Sequence, residues 1–399
     1  MTITATTIGP ERPVLRGPDP RVIAVAGVLL AGGMMALGGT IDWHQAWLYL
    51  LGAALGLVLY HATFGFASSW RRLVAERRGA GLRAQMVMLA LATAIFLPIL
   101  AEGTLFGRPV GGAVAPVGIS VLVGAFLFGI GMQLGGACAS GTLYTVGGGS
   151  TRMVVTLAFF VAGSLLGSAH LPWWLQQPSL GAVDLRRELG LGGALGLQLA
   201  VFAGVIGLSV WLERVRHGAL EESRRPAGPL WRRALQGPWP LVWGAVLLAL
   251  LNVATLGLTG RPWTVSFGYT LWGAKLATAA GVDVAAWPFW TWPFPSRALE
   301  ASVFADATSV MNFGIVVGAL LAAGLAGRFA PARQIALGPA LAAVIGGLLM
   351  GYGARLAFGC NVGAYFSGIA SGSLHGWVWF AAALVGTVAG NRLRPLFKL

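Results

Sequence analysis

The chain contains only two cysteines, and each lies in a glycine-rich stretch that interrupts a long apolar run. Cys138 lies within GGACASGTLYTVGGGS at 135–150, and Cys360 lies within GCNVGAYFSGIASG at 359–372. A thiol is small and polarisable and has a weak S–H donor, which suits a soft anion better than a hard one. Glycines let the backbone approach a ligand closely. These two stretches are therefore the first candidates for a functional site.

The two stretches match each other at a constant offset of 222 residues. The matched positions of the first stretch are Gly129, Gly131, Cys138, Gly141 and Thr145; those of the second are Gly351, Gly353, Cys360, Gly363 and Ser367. The same register pairs the only two cysteines of the chain, which glycine content alone does not explain. The sequence therefore predicts an internal duplication.

Other interpretations of the cysteines are open at this point. A single membrane cysteine is most often a small buried core residue. Two thiols without nearby histidines leave the shell of a zinc or copper ion incomplete, and the five histidines show no ligand spacing, so we expect no metal and no cofactor. A disulfide between the two thiols depends on geometry that a sequence does not give.

The composition is that of a membrane protein. Of the 399 residues, 56% are hydrophobic and only 10% are charged, whereas soluble domains carry about a quarter charged residues. Apolar runs of about 18 residues or more recur, each long enough to cross a bilayer as a helix. The net charge of +14 comes largely from arginines in short loops beside those runs, so it does not indicate nucleic acid. We expect an all-α, polytopic helix bundle in a lipid bilayer.

Ten spanning helices are predicted, and three further segments are exceptions. The spans are 21–39, 46–68, 84–101, 113–134, 151–170, 190–212, 239–258, 308–327, 336–357 and 374–390. Segments 136–149 and 359–372 are too short to cross and too rich in glycine for a straight helix. Segment 264–281 is ambiguous between a span and a re-entrant helix. The polar, proline-containing residues 1–20 precede the first span and show no signal-peptide pattern.

Arginine placement predicts the topology. The basic regions are 71–83, 213–233, the loop with Arg328 and Arg333, and the tail with Arg392, Arg394 and Lys398. All four fall on one side if 264–281 does not cross, and that side is expected to be cytoplasmic, together with both termini. The tryptophans at 173–174 and 287–292 then lie outside.

This topology gives the cysteine hairpins opposite orientations. The Cys138 hairpin enters from the cytoplasm and the Cys360 hairpin from outside, as expected for inverted, pseudo-symmetric halves. The predicted halves are 21–212 and 239–399, joined by a basic cytoplasmic linker at 213–238.

Broken helices at membrane depth must be buried in protein or line a wet cavity, because their backbone groups otherwise lose hydrogen bonds. Short helices that start there direct N–H groups inward and favour an anion. Arg355 could hold an anion with its guanidinium, or equally snorkel at a helix end. The candidate substrate-binding residues are Cys138, Cys360, Gly136, Gly141, Gly359, Asn361, Gly363 and Arg355.

At these residues the chain resembles the YeeE/YedE sulphur-transport family. The resemblance is carried by GGACASGTLYTVGGGS and by GARLAFGCNVGAYFSGIASGSLHGWVWF at 353–380, and it extends from about residue 46 onward. It implies an hourglass-shaped bundle in which waist cysteines, here Cys138 and Cys360, pass the anion across by S–H hydrogen bonds. Family members often have a third cysteine in a segment that resembles LYHATFGFASSWRR at 59–72, where this chain has Gly65.

The predicted function is a permease of the inner membrane for uptake of thiosulfate or a related sulphur anion. Alternatives are a selenium-compound transporter, a membrane sulphur-transfer enzyme with a thiol nucleophile, or a subunit that works with a soluble cytoplasmic sulphurtransferase. An enzyme is not expected, because a thiol nucleophile needs a nearby base and the closest downstream histidine, His375, follows Cys360 by 15 residues. No phosphate-binding motif of an ATPase is present.

Overall fold

The computed structural model describes residues 17–221, 229–332 and 334–399, and within them the fold is a bundle of α-helices. The helices are α1 Pro20–Thr40, α2 Trp43–His61, α3 Phe66–Glu76, α4 Ala80–Glu102, α5 Ile119–Gly135, α6 Ala139–Gly147, α7 Thr151–Trp174, α8 Leu185–His217, α9 Leu230–Gln236, α10 Leu241–Thr259, α11 Ser266–Ala279, α12 Pro293–Glu300, α13 Ala307–Ala326, α14 Leu337–Leu356 and α15 Leu374–Leu393. A π-helix covers Asn361–Gly368. The all-α membrane bundle predicted from composition is confirmed.

Two small antiparallel sheets complete the described fold. Strand β1, Thr104–Leu105, pairs with β2, Arg108–Pro109, directly after α4. Strand β3, Pro116–Gly118, pairs with β4, Ser179–Ala182, which joins the start of α5 to the loop before α8. The predicted span 113–134 therefore begins later, at Ile119, because the residues before it form β3.

Nine helical segments among the described residues are long and apolar enough to cross a membrane. Two of them combine neighbouring helices, α2 with α3 and α5 with α6. The tenth predicted span corresponds to α15, which has 20 residues but is not among the nine. Helix α11 has 14 residues, about 21 Å at the usual rise, whereas the hydrocarbon core is about 30 Å thick. The ambiguous segment 264–281 is therefore a short helix and not a span.

The prediction of one continuous span at 46–68 is wrong. Helix α2 ends at His61, and the chain turns through Thr63, whose φ is +45°. The N–H of Phe64 then bonds to the carbonyl of Leu59, which closes the end of the helix. A new helix, α3, starts after Gly65. Hydropathy does not reveal this break, because the residues on both sides are apolar.

Two of the arginine-rich segments, 71–83 and 213–221, lie together on one face. The buried Glu213 carboxylate, at the end of α8, accepts hydrogen bonds from Arg78 (3.2 Å) and Arg83 (2.7 Å) at the start of α4. Arg72 of α3 pairs with Glu221 at 2.8 Å. We call this the inner face and the opposite one the outer face. Residues 222–228 and 333, which belong to the predicted basic regions, lie outside the described residues.

The helices that lead into the cysteine stretches pack closely against each other. Helix α5 precedes Cys138 and α14 precedes Cys360, and the two run antiparallel, with Gly135 against Gly346 and Gly124 against Gly353. A Cβ added to Gly346 would lie 2.7 Å from the Cα of Gly135, so no side chain fits there. Small residues of this kind let membrane helices approach closely. The two cysteine stretches therefore leave this helix pair at opposite ends.

Candidate anion-binding waist

Cys138 starts the short helix α6. Gly136 ends α5 in the left-handed conformation, with φ +93°, and thereby turns the chain back. Cys138 is the N-cap residue of α6, and its Sγ accepts the N–H of Gly141 at 3.4 Å. A Cβ on Gly141 would lie 3.3 Å from this sulphur, so the glycine leaves the thiol room. The side chain of Cys138 is 1% exposed.

Cys360 occupies the corresponding place at the start of the π-helix. It is the N-cap residue of Asn361–Gly368, and its side chain makes no capping hydrogen bond. Gly359 before it has φ +154°, and a Cβ there would lie 2.6 Å from the backbone nitrogen of Ala364. Only glycine fits this position. A π-helix is rare and frequently marks a functional site.

The two cysteine helices meet inside the bundle. Helix α6 contacts the π-helix, and both thiols are free and buried. Helix α11 lies beside them, because the hydroxyl of Tyr269 donates to the carbonyl of Ala139 at 2.9 Å. We call this region, defined by Cys138, Cys360 and Asn361, the waist.

The waist is suited to an anion. The first N–H groups of a helix have no partner within the helix, and together they carry about half a positive charge. Here two helices begin at neighbouring points. Asn361 is 0% exposed, and neither the nitrogen nor the oxygen of its amide has a hydrogen-bond partner among the described residues. Unpaired buried amides are costly, so this one is available to a ligand.

A third helix begins near the same point. Gly65 is the N-cap residue of α3. A Cβ on Gly65 would lie 3.5 Å from the hydroxyl of Tyr144 on α6. Gly65, the position at which the family resemblance implies a third cysteine, therefore has the same N-cap place in α3 as Cys138 has in α6 and Cys360 in the π-helix.

A cavity of about 980 Å³ opens from the outer face. Arg261, Arg297 and Arg355 line it, together with Thr264 and a single carboxylate, Asp306. That carboxylate caps α13 and accepts from Ser309 at 2.8 and 2.6 Å. We call this space the outer cavity.

The outer cavity reaches the π-helix. A Cβ on Gly363 would lie 3.1 Å from the hydroxyl of Thr264, which lines the cavity. Arg355 is placed with its guanidinium carbon 5.1 Å from the ring centre of Phe289, and its buried Nε has no partner among the described residues. Arg355 therefore lies in the cavity and not at the waist.

A second cavity, of about 430 Å³, opens from the inner face. It lies beside the loop that contains Arg328, of which Ala330 is a lining residue. Tyr60, Thr145, Ser150 and Arg152 are among its lining residues, and we call it the inner cavity. Sequence reasoning missed Arg152. The only available signal was its position, because it follows the glycines of the first cysteine stretch directly at the start of a span.

Two other polar residues lie in structural contacts. Lys275 donates to the carbonyls of Leu299 and Ala301, which ties α11 to the loop after α12. His375 pairs with the hydroxyl of Ser373 at 2.6 Å. Within the described part of the chain, no group of three His, Cys, Asp or Glu side chains is placed to hold a metal.

The fold and this site define a multi-pass helical membrane protein with two buried cysteines between two cavities. The chain belongs to the sulphur transport family, whose model matches residues 61–389. It is 27% identical over 340 residues to "Thiosulfate transporter TsuA" of Spirochaeta thermophila, which covers 82% of this chain and 92% of that protein.

Two further relatives agree with this family, one with lower identity over most of the chain and one with higher identity over a shorter match. "Thiosulfate transporter TsuA" of Escherichia coli is 23% identical over 84% of this chain and 91% of its own length. "Probable transporter YedE" of Escherichia coli is 32% identical over 166 residues, and the match spans only 40% of each of the two proteins.

Proposed function

We propose that this protein takes up thiosulfate or a related sulphur-containing anion into the cytoplasm through the waist. The observation that carries the proposal is the placement of both cysteines as N-cap residues of short helices that begin next to each other. This arrangement combines soft thiols with a positive electrostatic environment, and together they fit an anion that carries sulphur. The names of the two full-length relatives point to the same substrate class.

The anion first enters the outer cavity, where the unused edge of the Arg355 guanidinium attracts it. It then loses water at the waist, where the Asn361 amide and the helix N–H groups replace that water. The S–H group of Cys360 donates to the anion, followed by that of Cys138. Gly141 and Gly363 keep the path beside the thiols open, while Gly136 and Gly359 fix the turns that place them.

Entry of a dianion requires a driving force. An inside-negative potential opposes each charge by about 2.3 kcal/mol per 100 mV, so two charges meet about 4.6 kcal/mol. Consumption of the sulphur in the cytoplasm, or coupling to an ion, supplies this energy. A soluble cytoplasmic sulphurtransferase would be a suitable consumer.

Transport by the purified protein tests the proposal. Radiolabelled thiosulfate is added outside proteoliposomes that contain the purified protein. Cys138→Ala and Cys360→Ala should each abolish or greatly reduce uptake at normal protein abundance. A purely structural cysteine predicts a stability loss of only about 1 kcal/mol and near-normal uptake. Parental uptake by both variants would contradict the mechanism. Serine at either position keeps a donor but loses the polarisable sulphur, so uptake should be intermediate.

The same assay separates the alternatives. Stronger competition by selenium oxyanions than by sulphur anions would favour a selenium-compound transporter. Chemical conversion of thiosulfate by the purified protein would favour a sulphur-transfer enzyme. Uptake that requires an added soluble sulphurtransferase would favour a subunit role.

We further propose that the protein lies in the inner membrane with both termini and the inner face in the cytoplasm. In a variant without the native cysteines, Ala219→Cys on the inner face should react with an impermeant thiol reagent only after the cells are opened. Leu180→Cys, at a site 79% exposed on the outer face, should react in intact cells. The reverse pattern would contradict this orientation.

A further inference from the structure

We infer that the inner cavity is a second anion-binding site, in which Arg152 receives the sulphur anion after it has passed Cys138. This inference rests on the proposed transport function and adds a binding site on the side where the substrate leaves. The site is separate from the waist and from the outer cavity, since none of its lining residues is shared with them.

The guanidinium of Arg152 is only partly used by the protein. Its Nη2 donates to the carbonyl of Leu134 at 2.6 Å and so caps the end of α5. Its Nε is buried and has no partner among the described residues. Arginine has five N–H donors in a planar fork, so a second edge is available for a bidentate anion.

The lining of the inner cavity complements an anion. Tyr60 and Ser150 contribute hydroxyl groups that can donate to an anion, whereas Thr145 and Thr151 already donate theirs to the carbonyls of Gly141 and Ala332. No carboxylate is among the lining residues that the structure describes. Arg152 makes no ion pair with a described acidic residue. The charge in this cavity is therefore not neutralised by a described part of the chain.

Helix α6 connects the waist to this cavity. It starts at Cys138, and Thr145 near its other end lines the cavity. Arg152 is also close to the waist turn, because a Cβ on Gly136 would lie 3.6 Å from its Nη1. The C-terminal end of α6 carries a partial negative charge, which repels an anion and keeps its binding weak. A weak site suits a position from which the substrate must leave.

Transport measured separately from the two faces tests the inference. In inside-out vesicles, where thiosulfate starts at the inner face, Arg152→Gln should raise the KM about tenfold, corresponding to about 1.4 kcal/mol. In right-side-out vesicles the KM should change by less than about twofold, because the outer cavity and the waist are intact. Arg152→Lys keeps the charge without the fork and should give a smaller increase on the inner side.

Arg394→Gln is the matched control. Arg394 donates to the carbonyl of Gln133 at 2.7 Å, so it caps the same end of α5, but it does not line the inner cavity. Its replacement should leave both KM values near parental. Equal effects of Arg152→Gln and Arg394→Gln, or equal shifts on both faces, would show that Arg152 is only a helix cap.

Three further outcomes are also decisive. If Arg152→Gln does not fold, Arg152→Lys is measured alone, and an unchanged inner-face KM overturns the inference. A parental protein that carries no sulphur anion in either direction contradicts the proposed function itself. A protein that transports normally but shows no inner-face effect contradicts only the role of Arg152.

Discussion

The unpaired amide of Asn361 is predicted to lower the stability of the protein and to contribute to binding of the substrate anion. Its amide is fully buried at the waist, and neither end has a partner among the described residues. Leaving a buried polar group unpaired costs about 1–3 kcal/mol. Leucine has a similar size and no polar atoms. Asn361→Leu should therefore raise the free energy of unfolding by about 2 kcal/mol, or raise the Tm by roughly 2 °C.

The same replacement should harm transport. If the amide donates to the anion in the waist, its loss removes a hydrogen bond to a charged group, worth about 1.5–3 kcal/mol. The kcat/KM for thiosulfate uptake should then fall about 10- to 100-fold. A more stable protein that transports poorly is the expected combination, measured by thermal unfolding in detergent and by uptake in proteoliposomes.

Asn252 provides the matched control. It is also 0% exposed, but its Oδ1 accepts the N–H of Trp263 at 2.8 Å and its Nδ2 donates to Ser367 at 3.3 Å. Asn252→Leu breaks both bonds and should lower stability by about 2 kcal/mol. If Asn361→Leu destabilises the protein as much as Asn252→Leu does, or transports at the parental rate, the amide is not reserved for the substrate.

Three other changes have expected outcomes. Gly359→Ala should lower stability by about 2 kcal/mol or more, because a Cβ would lie 2.6 Å from the nitrogen of Ala364. The control Gly196→Ala, where a Cβ would have no atom within 4 Å, should be neutral or slightly stabilising. Equal Tm values for the two variants would refute this. Glu213→Gln should lower stability by about 2–3 kcal/mol and leave uptake per folded molecule unchanged; an unaltered Tm would speak against the buried ion pairs. Gly65→Cys should fold, since its φ of −100° suits any residue and the Ser68 hydroxyl that would contact the new Cβ can rotate away. It should raise thiosulfate uptake by adding a third thiol, and a fall in uptake would argue against this role.

Most of the bundle could be predicted because membrane helices require long apolar runs. Helices α4, α7, α10, α13 and α14 begin and end close to the predicted limits. The wrong predictions have a common cause, because hydropathy does not show where the backbone leaves the helical conformation. The break between α2 and α3 and the strand before α5 both occur in sequence that is apolar or rich in small residues.

The candidate site was only partly visible in the sequence. Spacing identified Cys138 and Cys360, and the structure places each at the start of a short helix. Spacing did not distinguish Arg355 in a cavity from Arg355 at a lipid interface, because that depends on Phe289, 66 residues away in the chain. Arg152 was missed for a similar reason, since its unused donors become apparent only when its contact with α5 is known. The two-fold relation between the halves stays a prediction.

The capping role of the cysteines bears on why the waist uses sulphur and not oxygen. Serine, threonine or aspartate would normally cap a helix, and their oxygen would hold the first N–H groups tightly. The sulphur of Cys138 holds Gly141 at 3.4 Å, and the side chain of Cys360 caps nothing. A strong cap would compete with the passing anion for the same donors. In the proposed transport route, the start of the π-helix leaves its N–H donors vacant for the anion. Helix α6 can transfer the Gly141 N–H from the Cys138 sulphur to the anion and recover it once the anion has moved on.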